Sequence, residues 1–214
     1  GFRSGLIGMV DMPDLKAALN RRQRIGMAEQ GYYAYAATAQ AFAQAGIDAD
    51  LLAAREVGVL FGNDSSALAV TEAVDTLRRK KDTTLLGSGS IFQSMNSTVT
   101  MNLATIYGLK GVNFTISGAC ASGSHAIGIG YLLIKQGLQS MILCGGAQEV
   151  NPYAFGSFDG ISAFSIREDE PAKASRPFDK DRDGLVPSGG AAALVLESLA
   201  SAQERGANIL GEIV

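Results

Sequence analysis

The stretch "NFTISGACASGSHAIGIG", residues 113–130, changes from β-branched and aromatic residues to small residues, with a cysteine at the join. Its first part predicts a strand, and its second part predicts a helix that begins near Ser122. Cys120 then lies on the sharp turn between strand and helix, as the nucleophile of a nucleophile elbow does. There, backbone N–H groups and the positive end of the helix dipole would stabilise a thiolate, and also the oxyanion formed when the sulfur attacks a carbonyl.

Two other interpretations apply to the same stretch. Gly118 and Gly123 have the spacing of a phosphate-binding GxxxxGK[ST] loop, but Ser124 and His125 stand where that loop needs its lysine and its hydroxyl residue. No ammonium group could therefore reach the phosphates. The remaining interpretation treats cysteine as a small, buried apolar residue. We favour it for Cys144, which lies on the apolar strand "MILC".

Composition limits the class of protein. The chain has 214 residues, of which 47% are hydrophobic, and a formal net charge of -3. This predicts one globular domain or a tightly joined pair, without the sustained basic field that nucleic acid requires. No apolar run approaches the roughly 20 residues of a membrane span, and the first residues show no signal-peptide pattern. Two cysteines cannot form a disulfide framework, so we expect a soluble, cytoplasmic protein.

Apolar segments alternate with helical ones along the chain. Strands are predicted at 56–61, 111–117, 140–145, 190–197 and 209–214, and helices at 32–47, 65–81 and 122–138. The helix at 65–81 begins on serine caps and ends in basic residues. In the third helix, Ile127, Tyr131, Ile134 and Leu138 recur at helical spacing, which predicts one buried face. This alternation is typical of a layered α/β domain with a largely buried sheet.

One long polar segment, residues 167–188, predicts an ordered surface loop. Within it, "DKDRDG" at 179–184 satisfies the first half of the calcium-binding EF-hand pattern. The twelfth position of that pattern is Gly190 where the bidentate glutamate should stand, and a strand follows where a helix should. We therefore expect no calcium site.

The quoted blocks resemble, in the same order, the N-terminal half of the β-ketoacyl-acyl carrier protein synthases, which are condensing enzymes of the thiolase superfamily. The strand and turn around Cys120 are similar to the block that carries the active cysteine of these enzymes. Five other stretches match: "GVLFGND" (58–64), "MILCGGAQE" (141–149), "FDGISAFS" (158–165), "SRPFDKDRDGLVPSGGAAALVLE" (175–197) and "ERGANILGEIV" (204–214). The chain most resembles the elongating synthases, which accept carrier-bound acyl chains.

The resemblance implies an α/β fold of the thiolase-like layered type, αβαβα, of which this chain covers mainly the N-terminal half. Residues 1–208 would form that half, and residues 209–214 would begin the C-terminal half. It also implies that the loop containing "DKDRDG" (179–184) packs near the active-site entrance. Asp179, Arg182 and Asp183 would hold this loop in shape through hydrogen bonds and ion pairs.

The resemblance also implies a reaction. Cys120 would accept an acyl chain from a thioester, and decarboxylative condensation with a malonyl carrier protein would extend that chain by two carbons in fatty-acid or polyketide biosynthesis. Such enzymes use two histidines, a lysine and a glycine-rich loop of their C-terminal half, and no metal or other cofactor. The single histidine here, His125, is then a packing residue of the helix. The alternative is a non-catalytic acyl-carrier binding or scaffold fragment.

Further positions come from the same resemblance. Asn63 and Asp64 of "GNDSS", with Met95 and Asn96 of "FQSMNST", would lie where the acyl chain binds, although Met95 is equally typical of ordinary helix packing. A basic cluster of Arg21, Arg22 and Arg24 would contact the acidic acyl carrier protein, although a short charge run is also typical of a solvated face. The strand at 111–117 would pair with its twin in a second copy, which implies a homodimer.

Overall fold

A four-stranded sheet forms the centre of the computed structural model, which describes residues 1–214. Its strands are β1 (Val57–Gly62), β2 (Asn113–Ile116), β3 (Met141–Gln148) and β4 (Gly190–Glu197). The spatial order is β2-β1-β3-β4. Strand β1 runs parallel to β2 and β3, and β4 runs antiparallel to β3. These strands confirm four of the five strand predictions.

The predicted fifth strand at 209–214 is wrong. These residues have no regular secondary structure, and their apolar side chains are exposed, from Ile209 at 50% to Val214, which is fully exposed. An extended segment becomes a strand only when a neighbour pairs its backbone N–H and C=O groups. The sheet consists of β1 to β4 only, and none of these strands pairs with this segment.

Nine α-helices surround the sheet. They are α1 (Arg21–Arg24), α2 (Glu29–Ala45), α3 (Ala49–Ala54), α4 (Ala67–Lys80), α5 (Ser90–Gln93), α6 (Thr98–Tyr107), α7 (Ser122–Lys135), α8 (Pro152–Gly160) and α9 (Leu199–Glu204). Short 3₁₀ turns occur at Thr83–Leu85 and Pro171–Lys173. The helices predicted at 32–47, 65–81 and 122–138 are confirmed as α2, α4 and α7. None of the helices has both the length and the apolar character needed to cross a bilayer.

Helices cover both faces of the sheet. Val59 and Phe61 of β1 face one side, where they join a core cluster with Phe42 of α2 and Leu103 of α6. Leu60 faces the opposite side, in a second cluster with Ile142 and Cys144 of β3 and Ala126 of α7. Every residue of β1 is buried. The continuous apolar run of this strand follows from that double coverage.

Glycines bring helix α7 unusually close to the sheet. A Cβ atom on Gly62 of β1 would lie only 2.3 Å from the backbone nitrogen of Gly123, in the first turn of α7. A Cβ atom on Gly130, two turns later, would lie 2.4 Å from Cys144 Sγ. The absence of side chains at Gly62 and Gly130 therefore sets the distance at which the helix packs.

The predicted buried face of α7 is partly wrong. Ile127 and Ile134 do pack against the core, but Leu138 is 64% exposed and lies beyond the end of the helix. The buried positions of the helix are the small residues Ser122, Ala126 and Gly130. A helix that packs this closely against a strand buries its small residues at the contact line and places its larger ones beside that line.

An ion pair closes the end of the sheet opposite the elbow. The Glu197 carboxylate, at the end of β4, has a side chain that is 6% exposed and lies 2.8 Å from Arg205 Nη2. Arg205 also donates to the carbonyl of Ala45, at the end of α2. The pair of Glu197 and Arg205 therefore connects β4 to the end of α9 and to α2.

The loop at 175–188 is held by its own side chains, as predicted. The Asp183 carboxylate accepts hydrogen bonds from Ser165 Oγ at 2.7 Å and from Arg176 Nη2 at 2.9 Å. The hydrogen bond from Ser165 is the main reason why the pKa of Asp183 lies below its ordinary value. Asp179 accepts from the backbone of Asp181. The ion-pair partner of Asp183 is Arg176, which the sequence analysis did not single out, whereas Arg182 donates to a backbone carbonyl.

Candidate active site

Cys120 lies on a strained turn between β2 and α7. Strand β2 ends at Ile116, and α7 begins at Ser122 with Ala121 as its N-cap residue. Ala119 has a φ of 49°, in the left-handed region that residues with a Cβ atom seldom adopt. Its strained backbone projects the following residue out of the fold, and Cys120 is exposed. The predicted elbow geometry is therefore confirmed.

The Ser122 side chain stabilises this turn by hydrogen bonds. It is buried, and its Oγ atom accepts a hydrogen bond from the backbone N–H of Gly118 at 2.8 Å and donates one to the carbonyl of Ala119 at 2.6 Å. The Ser122 hydroxyl thus bonds to both Gly118 and Ala119, the two residues before Cys120. The backbone N–H of Cys120 itself makes no hydrogen bond within the protein.

The thiol of Cys144 is buried, whereas that of Cys120 is exposed. Cys144 is fully buried in β3, and burial raises the pKa of its thiol from 9.0 to about 12. At neutral pH this thiol is protonated and out of contact with solvent, so it is a poor nucleophile. Its interpretation as a core residue is confirmed.

His125 packs beside the elbow. Its ring lies over Gly118, where an added Cβ atom would be 2.7 Å from Nδ1. The histidine is on the exposed side of α7, one turn into the helix. Gly118 therefore has to be a glycine for the ring to lie there, which agrees with the packing role expected for His125.

Two predicted binding residues follow β1 directly. Asp64 is exposed, and its carboxylate accepts a hydrogen bond from Ser117 Oγ, at the end of the parallel strand β2. Asn63 is 1% exposed, and its Nδ2 atom donates to the carbonyl of Asn96 at 2.7 Å. The ends of β1 and β2 thus meet beside the elbow. A role of Asn63 and Asp64 in substrate binding stays a prediction.

A cleft of about 630 Å³ opens between α6 and the edge strand β2. Six of the eight residues in its walls are polar; the eight are Asn96, Ser97, Thr100, Met101, Asn113, Phe114, Thr115 and Ser117. Of the predicted pair Met95 and Asn96, only Asn96 is in the wall. Met95 lies next to it in the chain and is 38% exposed. Ser117, three residues before Cys120, joins the cleft to the elbow.

The predicted carrier-contact arginines form a short helix of their own. Asn20 and Gln23 cap α1 reciprocally. Arg21 and Arg22 of this helix are exposed. Arg24 is only partly exposed, and its Nε atom donates to the carbonyl of Leu19 at 3.1 Å. Two of the three guanidinium groups are therefore presented to solvent, and contact with a carrier protein stays a prediction.

The sequence analysis missed Glu149, the residue after β3. Its side chain is buried, and its carboxylate accepts hydrogen bonds from Ser65 Oγ, from the backbone of Ala67 at 2.5 Å and of Leu68 at 3.2 Å, and from Asn151 Nδ2 at 2.8 Å. Glu149 is the only acidic residue between positions 141 and 158. A single carboxylate directly after a buried strand was the signal that could have identified it.

Comparison with solved structures identifies the scaffold. A β-ketoacyl synthase from Burkholderia phymatum STM815 superposes with a TM-score of 0.87 and 36% sequence identity, over 98% of this chain and 52% of that one. A type II PKS acyl-carrier protein in complex with its ketosynthase, bound to the hexaketide, gives a TM-score of 0.76 at 28% identity, over 86% of this chain and 47% of that one. The fold is therefore the N-terminal half of a thiolase-like ketosynthase.

The family follows from the sequence comparison. Residues 8–202 match the model of the β-ketoacyl synthase N-terminal domain, and the chain belongs to the β-ketoacyl synthase family. A curated relative, 3-oxoacyl-[acyl-carrier-protein] synthase 1 of Haemophilus influenzae, is 37% identical over 190 residues, which are 88% of this chain and 47% of that protein. The chain spans about half the length of the curated relatives it matches.

Proposed function

We propose that the protein containing this chain is a 3-oxoacyl-[acyl-carrier-protein] synthase, with Cys120 as its nucleophile. The observation that carries the proposal is the exposure of Cys120 on the strained turn before α7, while the other thiol is buried and protonated. The family membership and the activity named for the relatives support it.

The chemistry takes place in two stages. In the first, the Cys120 thiolate attacks the carbonyl of an acyl thioester, a new C–S bond forms, and the carrier leaves as its thiol after taking up a proton. In the second, a malonyl thioester loses CO2, and the resulting enolate carbon attacks the acyl carbonyl. The new C–C bond releases the Cys120 thiolate and gives a 3-oxoacyl thioester longer by two carbons.

In both stages, this chain contributes stabilisation of the oxyanion that forms on the acyl carbonyl. The free backbone N–H of Cys120 is available to stabilise it, at the positive end of the helix α7 dipole. The resemblance assigns the decarboxylation to two histidines and a lysine in the second half of such enzymes. We place the reaction in the cytoplasm, in fatty-acid or polyketide biosynthesis.

Incubation of the full-length protein with acyl and malonyl carrier thioesters tests this proposal. We expect one acyl group per chain in the intact mass when only the acyl thioester is present. With both thioesters present, we expect a 3-oxoacyl product longer by two carbons. Association with the carrier without any covalent adduct would instead favour the alternative function, a non-catalytic acyl-carrier binding or scaffold protein.

We infer an acyl carrier protein as one partner and a second copy of the chain as the other. The exposed guanidinium groups of Arg21 and Arg22 suit an acidic carrier, with Arg24 beside them. The complex of a carrier protein with its ketosynthase, described above, supports such a pairing. Strand β2 is at the edge of the sheet, where a twin strand could extend it.

A charge introduced at the sheet edge tests the homodimer. Phe114 of β2 is 43% exposed, and Phe114→Lys is expected to convert a dimer of the full-length protein to a monomer in sedimentation velocity, because a lysine on an edge strand opposes pairing. The matched control is Phe178→Lys, at a phenylalanine that is 99% exposed in the loop at 175–188. A Phe114→Lys protein that remained dimeric would contradict pairing through β2.

A further inference from the structure

Helix α4 is capped by a residue from outside the helix. Its N-cap position is occupied by Ser66, whose hydroxyl makes no capping hydrogen bond. The first backbone N–H groups of the helix, those of Ala67 and Leu68, donate to the buried Glu149 carboxylate instead. A carboxylate is well suited to this position, because it satisfies unpaired N–H groups and faces the positive end of the helix dipole.

Because Glu149 caps the helix, the Ser66 hydroxyl is used elsewhere. Its Oγ atom donates to the carbonyl of Met95 at 3.1 Å and accepts from Gln30 Nε2 at 3.0 Å. The neighbouring Asn63 amide holds the carbonyl of Asn96. Two side chains of the segment 63–66 therefore fix the backbone of residues 95–96.

This backbone forms one wall of the cleft beside the nucleophile. Asn96 and Ser97 line the cleft on one side, and Ser117, which leads into the elbow, lines it on the other. A shift of Met95 and Asn96 would therefore change the space available to a group bound next to Cys120.

We propose that Glu149 is a positioning residue, which sets the acyl-chain preference of Cys120 by allowing Ser66 to hold the backbone of Met95, next to Asn96 in the cleft wall. The inference rests on the proposed function. In Glu149→Gln, one of the two oxygens that accept from Ala67 and Leu68 becomes an NH2 donor. The N–H of Ala67 has a second acceptor in Ser65 Oγ at 3.3 Å, whereas the N–H of Leu68 has only Glu149. Ser66 Oγ, the hydroxyl already at the N-cap position, is then the group that can accept from Leu68. When it turns to cap α4, it releases the Met95 carbonyl.

The test uses the full-length protein with the variants Glu149→Gln and Ser66→Ala. The ratio of the Cys120 loading rates for dodecanoyl and butanoyl thioesters is expected to change about tenfold in both variants, since small changes in a pocket wall discriminate chains to this extent. The double variant should show little further change, because both substitutions release the same contact. The methyl resonance of Met95 in NMR spectra should shift in both single variants.

Glu197→Gln is the matched control, because it removes a second buried carboxylate at the opposite end of the sheet. It is expected to lower Tm while leaving the loading ratio and the Met95 resonance unchanged. The inference is overturned if Glu149→Gln retains the wild-type ratio, or if Glu197→Gln changes the ratio as much. If wild-type protein takes up no acyl group, the proposed function fails. Separately, if the Met95 resonance does not shift in Glu149→Gln, the connection from Glu149 through Ser66 to Met95 is overturned.

Discussion

Replacing Cys120 with serine is expected to lower the rate of acyl loading by on the order of a thousandfold or more. A serine hydroxyl is far less acidic than a thiol, so at neutral pH almost none of it is in the ionised, nucleophilic form. The geometry should survive, because the side chain at this position is exposed and the turn is fastened by Ser122 and not by the cysteine. Intact mass spectrometry of the full-length protein after incubation with an acyl thioester measures the change.

Cys144→Ser is the matched control, and it should load at a rate close to that of the wild type. It places a hydroxyl among apolar groups, so the expected cost is stability, about 1 to 3 kcal/mol. Iodoacetamide should likewise modify only Cys120 in the folded protein and should reach Cys144 after unfolding. An acyl group mapped to Cys144, or undiminished loading of Cys120→Ser, would contradict the assignment of the nucleophile.

The features that could be predicted from the sequence are those that depend on neighbouring residues. Strands β1 and β3 were predictable because both of their faces are covered, so that each is a short apolar run. The elbow was predictable because strand, turn and helix signals all lie between residues 113 and 130. The strand predicted at 209–214 has the same local composition but no partner strand, and composition does not specify a partner.

The Glu149 cap could not be predicted for a related reason. The serines before α4 are a local capping signal, and Ser66 does stand at the N-cap position. The acceptor that satisfies the helix nevertheless comes from a residue more than 80 positions later in the chain, as the separation of 82 between Ala67 and Glu149 indicates. Local rules identify where a helix begins, whereas tertiary packing decides which group caps it.

The second large effect is expected at Gly62, where the sheet and the elbow helix meet. Gly62→Ala should lower the free energy of unfolding by about 3 kcal/mol or more, the upper range for overpacking. The added methyl group would lie 2.3 Å from backbone atoms of Ser122 and Gly123, and backbone cannot turn aside as a flexible side chain can. Helix α7 would have to move away from β1, which would displace the turn that carries Cys120. Urea unfolding of the full-length protein measures the loss of stability.

Gly123→Ala is the matched control, because it adds the same methyl group on the helix side of this contact. The nearest atom to its Cβ would be Gly146 Cα at 3.6 Å, an ordinary van der Waals distance. Alanine is favoured over glycine within a helix by up to about 1 kcal/mol, so this variant should be as stable as the wild type or slightly more so. If both variants lost the same stability, direct contact between backbones could not be what sets the position of α7. A loss confined to Gly62→Ala is expected, because only that methyl group would meet backbone at less than contact distance.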